Sequence, residues 1–140
     1  MASVVYNFFK QKTLKADVDL DSPVNVALVT SSYSPNIDTD EFYDDITNEV
    51  ANGNGYTTGG ITLSSTTVIL DTTDDEAAFD AANVTWSAST ITARGAVLYQ
   101  NTGTDSTSPL IGYFDFGSDQ SSSSGDFTIA WNAEGLLNLG

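Results

Sequence analysis

TITARGAVLYQN (residues 90–101) and PLIGYFDFGS (109–118) form the stretch on which the fold turns. Both are rich in Thr, β-branched and aromatic residues, the side chains that suit a pleated, half-buried surface, and a short polar cluster separates them. Working outward, ITLSSTTVILD (61–71), FDAANVTWSAS (79–89) and GDFTIAWNAEG (125–135) have the same make-up and lie between clusters of Asp, Asn, Ser and Gly. At least five strands are predicted. Their rhythm of roughly 10 to 15 residues leaves no room for the helices of βαβ units, so the expected fold is mainly β, an antiparallel β-sandwich or jelly roll. The four serines at 121–124 are too few for a linker and read as a turn between strands.

The first part of the chain is more varied. VNVALVT (24–30) alternates Val24, Val26 and Leu28 with Asn25 and Ala27, a strand pattern. Residues 3–16 place Val5, Phe8, Phe9 and Lys12 at helical spacing with Ser3 as candidate N-cap, which predicts an amphipathic N-terminal helix over about 1–16. A second short helix is predicted over about 38–50, where acids open the segment and Phe42, Ile46 and Val50 recur every fourth residue. Asn52, Gly53, Asn54 and Gly55 supply the left-handed geometry for its exit.

With 140 residues the chain has the length of one ordinary domain, taken here as 1–140. No apolar run approaches the ~18 residues of a membrane helix, and the start lacks the pattern of a signal peptide. A soluble protein made in a cytoplasm, without membrane contact, is the expectation. The 19 acids against 4 bases give a net charge of −15, which repels phosphate backbones and disfavours nucleic acid as a partner. The positive charge is unevenly placed. Lys10, Lys12 and Lys15 fall in the first fifteen residues, which hold no acid, and Arg94 is the fourth. A cationic segment on an anionic body is suited to pairing with a neighbouring copy, although lysines on a solvated helix face give the same pattern.

Histidine and cysteine are absent, which removes the usual general base, thiol nucleophiles and nearly all zinc or haem ligation. No disulfide is available to the fold either. Carboxylate chemistry remains, with Asp115 and the adjacent pairs Asp44-Asp45 and Asp74-Asp75 as material for glycoside hydrolysis, but such pairs arise from composition alone in so acidic a chain. No phosphate-binding or nucleophile-elbow motif is present. No enzyme activity and no cofactor are expected. Asp17, Asp19 and Asp21 resemble the start of a calcium loop, yet Ser22 replaces its glycine and Leu28 its final glutamate, so they are weak calcium candidates beside the reading as an acidic turn. Arg94, alone in an apolar strand, calls for a carboxylate from a neighbouring element; an intersubunit contact is the other reading. Trp86 and Trp131 read as core residues, and of Tyr113, Phe114 and Phe116 one ring is available to a partner.

Four segments carry a resemblance. DVDLDSPVNVALVTSSYSP (17–35), DITNEVANGNGYTTGGITL (45–63), AANVTWSASTITARGAVLYQN (81–101) and PLIGYFDFGSDQSSSSGDFTIAWNAEGLLNL (109–139) together look like a family of small virion proteins of tailed bacteriophages. The departure is NFFKQKTLKADV (7–18), where family members carry a more regular helix. The resemblance implies a structural protein of the virion, made in the bacterial host. A capsid decoration or cement protein binding the major capsid protein at capsomer junctions is the first expectation. A neck, tail or fibre component is the alternative, and a glycan depolymerase a distant third. Either structural role implies a homo-oligomer, such as a trimer, built by symmetric association.

Overall fold

The structure, a computed structural model, describes residues 2–140. Strands hold 43% of the residues and helices 11%, so the fold is mainly β, as the strand rhythm predicts. Among the described residues ten strands and one α-helix follow one another: β1 (Val4–Val5), α1 (Asn7–Lys15), β2 (Val24–Val29), β3 (Ile61–Thr62), β4 (Thr67–Asp71), β5 (Glu76–Asp80), β6 (Val84–Ser89), β7 (Thr92–Gln100), β8 (Leu110–Ser121), β9 (Gly125–Ile129) and β10 (Leu137–Leu139). All named strand pairs are antiparallel. A five-stranded sheet has the order β1-β8-β7-β2-β3, a three-stranded sheet β10-β5-β4, and β6 pairs with β9.

The central sheet is covered on both faces, and the pleat decides which residue enters which core. Val26 stands opposite Leu98, and Ala27 opposite Val97. Val24, Val26, Leu28, Ala96, Leu98 and Ile111 pack against Phe79, Trp86, Phe127 and Ile129 of the smaller sheets, which makes the sandwich layer. Ala27, Val29, Val97 and Tyr99 enter a second core with Tyr6, Tyr33, Tyr43 and Tyr113. Every residue of β2 is therefore buried, although its sequence alternates in polarity only through Asn25.

The long connection from β2 to β3, residues 30–60, covers that second face with little regular structure. Tyr33 and Tyr43 hold it there, while Tyr56 enters the sandwich core on the other side. All six tyrosines of the chain are buried. Tyr43 and Tyr56 donate to the Glu49 carboxylate at 2.5 and 2.6 Å, and Gly59 N–H donates to it at 2.7 Å. The Tyr56 hydroxyl also accepts the Leu28 N–H, and Tyr99 donates to the Gly59 carbonyl. Tyr6 and Tyr33 share a hydrogen bond of 2.7 Å, and Tyr33 is 3.0 Å from Asp40. Burial is the first cause that pushes the hydroxyls of Tyr6, Tyr33, Tyr43 and Tyr56 well above their ordinary range.

Two expectations need correction. The helix over 38–50 is reduced to a single 3-10 turn, Tyr43–Asp45. Its acids bond the backbone outside a helix: Asp45 accepts the N–H groups of Glu41 and Phe42, and Asp40 accepts that of Asn36. Phe42 is bridged to Pro109 and Glu49 to Val29, so the segment follows the sheet. The N-terminal helix starts at Asn7 rather than Ser3, because Val4 and Val5 pair with Tyr113 and Gly112 as a sheet edge. Ser3 accepts the Asp115 N–H instead of capping the helix. With no helix over 38–50 to leave, Gly53, Asn54 and Gly55 have positive φ as part of a loop and not as a helix exit.

Candidate association surfaces

Helix α1 divides into two faces. Phe9 is buried and Lys12 half-buried, with Lys12 Nζ 2.7 Å from Glu41 Oε1 and over the Phe42 ring at 4.7 Å. Lys12 is thus committed within its own chain. Lys10, Gln11, Leu14 and Lys15 are exposed at spacings of one and four residues, so they share the outward face. Leu14 is 91% exposed. Lys10 reaches only the Asn7 side chain at 3.0 Å, and among the described residues neither Lys10 nor Lys15 has an ion-pair partner.

The three-stranded sheet presents a second unusual surface. Leu70 stands opposite Ala77 and Ala77 opposite Leu139, so the three side chains form one row on one face, with Val68 two residues back on the same face. Leu70 is 77% exposed, Leu139 66% and Val68 55%. Ile69, on the opposite face, is 51% exposed. β4 is one edge of this sheet, and its outer side pairs with no other strand among the described residues. Soluble chains rarely leave an edge so apolar uncovered, because it is a template for association. The turn beyond Leu70 is acidic: carboxylate oxygens of Asp71, Asp74 and Glu134 lie within 4.8 Å of one another. Asp71 already accepts the N–H groups of Thr73 and Asp74.

The remaining sequence candidates fall elsewhere. Asp17, Asp19 and Asp21 are exposed and do not gather within 4.8 Å; Asp19 accepts the Asp21 N–H and the Ser22 hydroxyl, which closes a local turn. Arg94 Nε lies 3.0 Å from Asp115 Oδ1, on the neighbouring strand β8, where the β7–β8 register shifts between Ala93 and Gly95. Arg94 keeps 30% of its side chain exposed, while Asp115 keeps 6%. The Gly117 N–H first, and the Arg94 guanidinium second, hold the Asp115 carboxyl down to about 2. A carboxyl so held stays ionised, the opposite of what a proton-donating glycosidase acid requires. Trp86 is 4% exposed and packs edge to face on Phe127, although among the described residues its indole N–H has no hydrogen-bond acceptor. Trp131 donates to the Ala82 carbonyl and lies against Phe114, at 5.4 Å between centroids. Tyr113 is buried, and Phe116 approaches Phe127. The sequence predicts ITLSSTTVILD as a strand but carries no mark of how exposed it is beyond the dense acids directly after it.

What these features define is a mainly β protein with two unusual exposed surfaces, one basic on α1 and one apolar on the β10-β5-β4 sheet. No family model, curated protein or solved structure matches the chain.

Proposed function

We propose that the chain is a structural protein of a tailed-bacteriophage particle, a decoration or cement protein that binds the major capsid protein on the outer shell and stabilises capsomer junctions. The observation that carries the reading is the exposed row Leu70, Ala77 and Leu139, with Val68 beside it, because an apolar face of this kind marks a protein contact. The sequence resemblance supplies the phage setting. The two-faced burial of the central sheet supports it further, since a rigid body suits a part whose work is to add repeated interface area.

Copy number is the test. The protein is quantified in purified particles against the major capsid protein after heads and tails are separated. Copies on the order of hundreds in the head fraction support the shell role, whereas six to a few tens in the tail fraction support the neck, tail or fibre role. Glycan cleavage that is lost on replacing particular acids would support the depolymerase reading instead.

A further inference from the structure

We propose that the exposed row Leu70, Ala77 and Leu139 of the β10-β5-β4 sheet, beyond the part of that face which Phe79 commits to the core, receives helix α1 of a second copy of this chain, so that copies associate head to tail. This rests on the proposed function only in reading the Leu70 row as a protein contact; its occupant here is a second copy, which leaves attachment to a capsid to another face of the molecule.

The two surfaces match in chemistry. On the sheet, Val68, Leu70 and Leu139 are at least half exposed, and Asp71, Asp74 and Glu134 crowd at one end. Like charges within 4.8 Å repel, and no basic residue of the same chain answers them: Lys12 is held by Glu41, Arg94 by Asp115, and Lys10 and Lys15 are on α1. On the helix, Leu14 stands 91% exposed between Lys10 and Lys15. Seating Leu14 on the Leu70 row removes apolar area from water on both sides and brings two unpaired lysines to the acids. Within one chain neither surface covers the other, since both stay exposed.

Direct pairing of two β4 edges is less favoured. It would bring two bodies of −15 together with no lysine at the contact, whereas the helix contact sets the most basic surface of one copy on an acidic one of the next. Because the two surfaces differ, the contact is heterologous, and copies joined by it close into a ring or extend as a filament.

Sedimentation equilibrium of the full chain tests this. At about 0.05 M salt the wild type is expected to be oligomeric, and at about 1 M salt, where the screening length falls to about 3 Å, its association should weaken on the order of tenfold. Leu14→Asp and Leu70→Lys should each give monomers with unchanged far-UV circular dichroism. The pair Lys10→Glu and Lys15→Glu should do the same, and adding Asp74→Lys and Glu134→Lys should restore the oligomer. Three results would each overturn the contact: a monomeric wild type, dissociation by Leu70→Lys but not by Leu14→Asp, or dissociation by a chelator at constant ionic strength. A monomer that is still found on heads removes this contact and leaves the shell role standing. A salt-sensitive oligomer that is missing from particles does the reverse.

Discussion

Glu49 takes three donors, from Tyr43, Tyr56 and Gly59, all within the connection over the sheet, and the Tyr56 hydroxyl on the Leu28 N–H and the Glu49–Val29 bridge join that network to β2. Glu49→Ala leaves those donors without an acceptor in a half-buried setting and should cost about 2 to 3 kcal/mol, measured by urea unfolding. The same network sets an alkaline limit. Burial pushes the Tyr99 hydroxyl from 10.0 up to about 12, and the other network tyrosines also rise. Unfolded tyrosine releases its proton at a lower pH than folded tyrosine, so above pH 10 the unfolded state binds fewer protons and gains on the folded one. For Tyr99 this stabilisation is complete below pH 10 and is lost as the pH climbs through about 12; the tyrosines raised further lose theirs at still higher pH. Tyrosinate absorbance should therefore rise together with the loss of the β signal, not before it. At the β7–β8 bulge, Asp115→Ala should destabilise more than Arg94→Met. Asp115 is the more enclosed partner and also accepts the Gly117 N–H, while Met preserves the aliphatic contacts of Arg94. Thermal melting of the two variants compares them directly.

Elements were legible in the sequence where one interaction dominated. The runs at 90–101 and 109–118 became β7 and β8 because their periodicity and turn residues agree with burial on both sides. The segment 38–50 was not legible, because its fourth-residue spacing suits a helix while its real partners, Pro109 and Val29, are distant in sequence. Tyrosine hydroxyl pairings are equally long-range and leave no local mark. Exposure of β4 was hidden for another reason: VIL reads the same in a core strand and in an edge awaiting a partner. Glycine shows the difference between composition and contact. Gly60 has a φ of +77°, and a Cβ there would lie 1.8 Å from the Val26 carbonyl oxygen, which is backbone and has nowhere to move. Gly60→Ala should destabilise by about 3 kcal/mol or more, or prevent folding, as judged by chemical denaturation.

For the whole molecule, a net charge of −15 means that packed copies repel unless a basic face, a neighbour's lysines or a cation intervenes. Screened surface pairs contribute only about 0 to 1 kcal/mol each, so attachment to a particle should combine partial salt sensitivity with a mainly apolar contact. Raising salt to about 1 M during pelleting of purified particles should release part of the bound protein and not all of it. The most direct measurement for the central claim is the amount of this chain in tail-free heads, quantified against the major capsid protein. The account predicts a head-bound protein in copies on the order of hundreds, arranged by the particle's symmetry. Heads free of the chain at every salt concentration, with the protein recovered only in the tail fraction or in neither, would contradict it.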